Sequence, residues 1–487
     1  MKFVRNDLKV AGRPVPNEEI DPKDLQGNIL RGFRSLRAIY AFVRFPEDPA
    51  KAKAWIHEHL LTQRAPFRIT NVATQGSADR PHVNFFLTAT GLERLGAERS
   101  DLASMDEAFL RGARSEMTRR LLDDPPATDW APDYRRGWDA MLLVAFNPAD
   151  KAIVGEVERA VGQLPDRRLE LGNVLDEHGR PLAAAEAARS PHRFEPFGYR
   201  DNISVTVFTA EQAEEDGIPN KPAWDPRRPL SAILCKDPFG AGFGSYFVYR
   251  KLKQDVAGFR RRVQTIADTL KERGTYLNQL YASKGENGAY AIFAPGKHPT
   301  DQDIIQFVKG RIMGRLPSGE LPSGDAPENY AFNFESDRAG STCPYSAHIR
   351  KMNPRGQTGD PQTEGRITIA RRGIAYGRSD LGHEDPETGI LFLCAQARIG
   401  EQFEQLQRRM ANDSAPELRL EPTPMPDQVA GHPTEVTDWG TMNRYQRFTT
   451  TIEADFSIWD LVSLQGGEYL FAPSLSGLAA LTKGGAR

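Results

Sequence analysis

HVNFFLTA (residues 82–89), TGLERLG (90–96) and AMLLVAFN (140–147) are the stretches whose reading decides the fold. The first and last are short runs rich in Val, Phe and Leu and of strand length, and between them the apolar spacing switches to that of a helix. Upstream, RAIYAFVRF (37–45) reads as a strand, residues 49–62 as a helix and residues 67–72 as another strand candidate. Downstream, residues 151–164 carry the spacing of an amphipathic helix. The order β-α-β-β-α-β predicts a ferredoxin-like unit, an antiparallel sheet with helices on one face.

The second half begins the same series. GSYFVYRKL (244–252) runs into the helical pattern QDVAGFRRRVQTIADTLKER, and ILFLCAQARI (390–399) runs into EQFEQLQRRM. A chain of 487 residues exceeds what one compact core usually serves. The expected fold class is therefore α+β with two ferredoxin-like domains, residues 1–215 and 216–487. The polar stretch 166–228 reads as a connector, and the Gly-, Pro- and Asp-rich stretch 275–365, with LPSGELPSGDAPENY, as a long loop insertion.

Sixty-three basic and 65 acidic residues give a net charge of -2 with no basic face, which disfavours nucleic acid and anionic membrane as partners. No stretch approaches the roughly 18 apolar residues of a membrane span, and the first twenty residues lack the apolar core of a signal peptide. A cytoplasmic location is expected. Cys235, Cys343 and Cys394 are too scattered for a zinc, iron–sulfur or disulfide framework, so any metal must be held by other residues.

Of nine histidines, His348 stands apart. Its context, CPYSAHIRKMNPR (343–355), sets one imidazole between small residues and the cations Arg350, Lys351 and Arg355. Imidazole binds iron through one ring nitrogen, and guanidinium groups suit the propionates of a haem, although a structural histidine beside a basic turn has the same spacing.

This segment resembles the proximal-histidine segment of the dye-decolorising peroxidases, haem enzymes with two ferredoxin-like domains. DLQGNILRGF (24–33), VNFFLTATGLERLG (83–96), GSYFVYRKLKQDVAGF (244–259), ARRGIAYG (370–377), ILFLCAQARIGEQFEQLQRRMAND (390–413) and GGEYLFAPSLSGL (466–478) are similar to family segments and follow in the family's order. The resemblance implies one b-type haem (heme b) per chain, held mainly by the C-terminal domain with His348 as its iron ligand and Arg350 and Arg355 beside it. It also implies a Gly-x-x-Asp-Gly motif, here GYRDN, in which Gly198 and the acid–base Asp201 are kept and Asn202 replaces the second glycine. Asn tolerates positive φ better than most residues, so the loop is expected to keep its shape.

The family's distal arginine falls on Arg371, twenty-three residues after His348, with Arg372 as its rival. On a strand the two would point to opposite faces, so only one can serve. Ile390 and Phe392, two apart, could share a face over the distal pocket, with core packing as the alternative. The implied activity is reduction of hydrogen peroxide at the expense of dyes, phenols or other organic reductants, with Asp201 moving the proton and Arg371 stabilising the charge on the departing oxygen. A carboxylate base implies an acidic optimum. Tyr376, Trp439 and Trp459 are candidate relays to bulky dyes, and Glu453 or Asp455 candidate partners of the His348 ring. The oligomeric state stays open. A haem carrier or sensor with weak turnover is the alternative reading, kept open by Asn202.

Overall fold

The structure, a computed structural model, describes residues 20–75, 80–147, 152–183, 192–203, 205–219, 224–282, 292, 296–321, 332–337, 343–355, 366–377, 387–412, 427, 429–430 and 458–483. Strands β1 (Arg37–Arg44), β2 (His82–Leu87), β3 (Ala140–Phe146) and β4 (Asp166–Asn173) pair antiparallel in the order β4-β1-β3-β2. Helix α1 (Pro49–Ile56) follows β1 and α2 (Ala152–Val161) follows β3, which is the β-α-β-β-α-β unit. Asp48 caps α1 through the Ala50 amide, and Pro49 sits where its missing N–H costs nothing. The Trp55 indole N–H donates to the Ala160 carbonyl at 2.9 Å and ties α1 to α2.

The second unit repeats the plan. A short β5 (Cys235–Lys236) edges β6 (Phe243–Gln254), which leads into α3 (Val256–Ala282) and α4 (Asp301–Met313). After the five-residue helix α5 (His348–Met352) come β7 (Ala370–Arg371), β8 (Ile374–Tyr376), β9 (Gly389–Gln396), β10 (Val462–Ala472) and the C-terminal α6 (Leu475–Thr482). Their order, β10-β6-β9 with β7 and β8 on the far edge of β9, matches that of the first unit. Because β10 also pairs with β2, and β8 with β4, the two sheets close into one circuit.

Closure explains why most strands read as unbroken apolar runs. On β1, Ala38, Tyr40 and Phe42 face inward, while Ile39, Ala41 and Val43 face outward under the helices. The interior is not wholly apolar. Lys251 donates to both oxygens of Glu170 at 3.0 Å, Tyr134 donates to Glu170 at 3.1 Å, and the Tyr134 and Tyr249 hydroxyls meet at 2.9 Å. This buried group bridges β4 of one unit to β6 of the other.

Two readings of the sequence need correcting. Residues 67–72 form no strand: the Gln26 side chain takes up the edge of β2 instead, accepting from the Phe85 amide and donating to the Phe85 carbonyl, both at 3.0 Å. The fourth strand is β4, inside the stretch expected to be a connector. Its pattern misleads because Glu170 is buried while Leu171, 46% exposed, faces out. Among the described residues no helix is long and apolar enough to cross a membrane.

Candidate functional site

Asp201 leaves a tight hairpin. The Glu195 amide donates to the Tyr199 carbonyl and the Gly198 amide to the Glu195 carbonyl, at 2.9 and 2.8 Å. This turn holds Gly198 at φ +90°, a backbone open to glycine for conformational rather than steric reasons, since an added Cβ would meet nothing. Stacking of Phe197 on Phe259 and donation from the Tyr199 hydroxyl to the Lys309 carbonyl anchor the hairpin on α3 and α4. Burial pushes the Glu195 carboxyl up, against hydrogen bonds from the Tyr199 amide and Gln254. Asn202 follows at φ 62°, so it occupies the left-handed conformation that the motif glycine would take.

β7 separates the two arginines as strand geometry requires. Arg371 Nη1 lies 3.5 Å from Asp201 Oδ1, with the side chains 52% and 39% exposed. Arg372 points the other way and donates to the carbonyls of Asn28, Ile29 and Arg371 at 2.7–2.8 Å, fastening β7 to the N-terminal segment. Desolvation lowers its guanidinium to about 10.

His348 opens α5, and its ring is fixed from one side. Nδ1 lies 2.8 Å from Asp427 Oδ2, and Asp427 is itself fully buried. The other carboxylate oxygen accepts from the Val429 and Ala430 amides at 2.8 and 3.0 Å. Burial works against ionisation of Asp427, but His348 and the two amides outweigh it and hold the carboxyl below its ordinary value. An ionised Asp427 requires the proton on Nδ1, which leaves the Nε2 lone pair open, and among the described residues nothing hydrogen-bonds Nε2.

One short connection joins the two sides. An added Cβ at Gly314, just past α4, would lie 3.3–3.5 Å from Ile349 and Ala347, the neighbours of His348. Three residues on, the Pro317 carbonyl accepts from the Arg200 amide beside Asp201. Three residues span at most about 10 Å, so the flanks of His348 and Asp201 approach within the reach of one large planar ligand.

The remaining candidates divide. Arg355 is buried at φ 41°, its guanidinium 4.3 Å from the Trp224 ring centroid and 4.0 Å from that of Phe332, an unfavourable backbone in a cationic, aromatic setting. Arg350 donates to Asp337 Oδ2 at 2.9 Å and to the carbonyls of Asp337 and Cys343, so its charge ties residue 337 to residue 343. Ile390 and Phe392 share the outer face of β9, half-buried between fully buried neighbours, and the Phe392 ring lies 6.2 Å from that of Phe403 in the core. Tyr376 is buried, Trp439, Glu453 and Asp455 lie outside the described residues, and of Trp459 only the backbone is described.

Sequence reasoning missed Asp427, 79 residues from its partner. Its local signal is the Asx-type capping of two following amides after Pro426. It missed as well a cavity of about 160 Å³ that Asp201, Asn202 and Arg371 share with Arg31, Arg34, Arg37 and Arg193.

As a donor set, the site offers one imidazole. Among the described residues no group of three or more His, Cys, Asp or Glu gathers around a metal position. A lone imidazole nitrogen backed by a buried carboxylate suits a metal that brings most of its own ligands, as haem iron does. The residues present fit that group.

No protein-family model matches the chain. Relatives do. The multifunctional dye peroxidase DyP2 of Amycolatopsis sp. is 31% identical over 494 residues, covering 94% of this chain and 95% of that protein. A dye-decolorizing peroxidase of Mycena epipterygia is 26% identical, covering 96% and 88%. The crystal structure of a DyP-type peroxidase of Anabaena sp. superposes with a TM-score of 0.74 at 27% identity, over 94% of both chains. Sequence identity carried across nearly the whole length, on the same pair of β-α-β-β-α-β units, makes this chain a member of the dye-decolorising peroxidase family and a peroxidase.

Proposed function

We propose that the chain is a haem-dependent peroxidase that reduces hydrogen peroxide and oxidises dyes, phenols or similar organic donors, with one b-type haem bound through His348 Nε2. The observation that carries this reading is the His348–Asp427 pair, which fixes the ring, holds the proton on Nδ1 and raises the basicity of the nitrogen left open. Bound there, the haem would supply the site at which peroxide is held and its oxygen–oxygen bond broken.

The protein's own share is proton transfer and charge. Asp201 would take a proton from one peroxide oxygen and return it to the leaving oxygen, a shuttle that one carboxylate can perform. Arg371, 3.5 Å from Asp201, brings a guanidinium that stabilises negative charge on the leaving oxygen. The half-buried faces of Ile390 and Phe392 suit the apolar side of the same pocket, and Arg355 suits a propionate. The positive φ of Asn202 preserves the hairpin, which supports turnover over a haem-carrier role. The division at residues 215/216, with the haem held mainly by the second unit, and a cytoplasmic location belong to the same proposal.

Titration of haem into the apoprotein tests it. Wild type is expected to give a saturable one-to-one Soret change, and His348→Ala a shifted band and weaker binding. Equal affinity and equal spectra in the two proteins would sink the assignment of His348.

A further inference from the structure

The cavity next to Asp201 is unusually cationic. Six arginines, Arg31, Arg34, Arg37, Arg193, Arg371 and Arg372, are among the residues that line it, with the acidic Asp201 and Asp216. Four are already engaged: Arg371 with Asp201, Arg31 and Arg34 with Glu215 outside the cavity, and Arg372 with backbone carbonyls. Arg37 and Arg193 differ. Among the described residues neither has a carboxylate at ion-pair distance; Arg37 donates to the Asn173 side chain and Arg193 to the Arg34 carbonyl at 2.8 Å. Burial lowers both guanidiniums, opposed at Arg193 by the nearby Asp201 carboxylate, so each is a partly desolvated cation that a further anion would stabilise.

The rest of the lining includes the largely apolar side chains of Phe33, Tyr40, Leu143 and Ile374. The size is selective. About 160 Å³ resembles the roughly 150 Å³ of an engineered cavity that accepts benzene. His348 does not line the space, which therefore adjoins the iron-ligand position without coinciding with it.

We propose that this cavity binds a single-ring aromatic anion, a phenol bearing a carboxylate or sulfonate, as the peroxidase's electron donor. Arg37 and Arg193 hold the anionic group, and the ring lies against the apolar side chains of the lining. Each phenol gives up one electron and its hydroxyl proton, so two phenols and one hydrogen peroxide yield two phenoxyl radicals and two waters. The donor role rests on the peroxidase reading above, whereas the anion site rests on the cavity alone.

Benzenesulfonate, which carries no oxidisable hydroxyl, separates the two. Calorimetric titration into the haem-loaded protein is expected to show one saturable site, weakened roughly ten- to hundredfold in Arg37→Gln and in Arg193→Gln, as loss of a charge-assisted hydrogen bond requires. In steady state, the kcat/KM ratio of 4-hydroxybenzenesulfonate to uncharged phenol should fall at least about tenfold in both variants. Absence of saturable binding in wild type overturns the proposal, as does unchanged affinity in both variants. Binding that persists in a protein without peroxide turnover overturns the donor role together with the proposed function and leaves the anion site supported.

Discussion

Asp427→Asn is a near-isosteric change with an uneven effect. The oxygen that accepts from Val429 and Ala430 is Oδ1, so those two bonds survive and fix the orientation of the new amide. Its NH2 then replaces Oδ2, 2.8 Å from His348 Nδ1. Two N–H donors cannot face each other at that distance, so the imidazole proton moves to Nε2 and removes the lone pair that would bind iron. Loss of a partner that orients a metal-binding histidine typically costs about ten- to a hundredfold in metal affinity, or roughly 1.4–2.7 kcal/mol. Haem titration of apoprotein should show a fall of that size and a Soret band displaced from wild type. Asp427→Ala leaves the tautomer free, so its band should stay nearer to that of wild type even though it removes the amide contacts as well. Wild-type haem affinity and spectrum in Asp427→Asn would refute the reasoning, because the tautomer would then have no bearing on the site.

Other perturbations follow from the buried polar groups and the hairpin. Lys251→Met removes the buried cation that faces Glu170 inside the strand circuit and leaves it only the half-exposed Arg168, 3.1 Å away, so the loss should approach the roughly 3–5 kcal/mol of a broken buried ion pair, readable as a lower denaturant midpoint. Burial, only partly opposed by Arg114 and the Trp138 amide, raises the Glu468 carboxyl to about 7. A folded-state value above the unfolded one gives stability that is complete in acid, below the ordinary carboxylate range, and lost as pH rises through about 7. Glu468→Gln removes that loss, so between pH 5 and pH 8 it should gain on the order of 3 kcal/mol on wild type in urea unfolding; a difference that does not vary with pH would contradict the assignment. At Asn202, substitution by Ala should cost about 1 kcal/mol because of the left-handed backbone, whereas Gly should stay within about 0.5 kcal/mol of wild type in thermal unfolding.

Much of the fold was legible because β1, β2, β3, β6 and β9 are apolar on both faces, a property that survives any uncertainty about which side is inside. β4 was hidden for the opposite reason. Its inward Glu170 is held by Arg168, two residues away, together with Lys251 and Tyr134 from distant parts of the chain, and partners so remote leave no local pattern. The site shows the same division. His348, Asp201 and Arg371 lie in recognisable segments; the family motif points to Arg371, strand alternation allows only one of the two arginines, and the structure sets Arg371 beside Asp201 and turns Arg372 onto the N-terminal carbonyls. Arg350, two residues past the histidine in a basic cluster, reads from the sequence as a haem neighbour, whereas its Asp337 partner, thirteen residues upstream, leaves no such local signal. The arginine cavity draws on residues 31–37, 193 and 371, three segments that only the closed circuit brings together.

The central claim is that Asp201 moves the proton that lets peroxide react. The direct measurement is the second-order rate of hydrogen peroxide consumption by haem-loaded wild type and Asp201→Asn, mixed rapidly at matched haem occupancy. A side chain that can neither take nor return the proton should slow the reaction by roughly a hundred- to ten-thousandfold. A fall of less than about threefold, with haem bound equally in both, would contradict the account, since no general acid–base group worth the name is so dispensable.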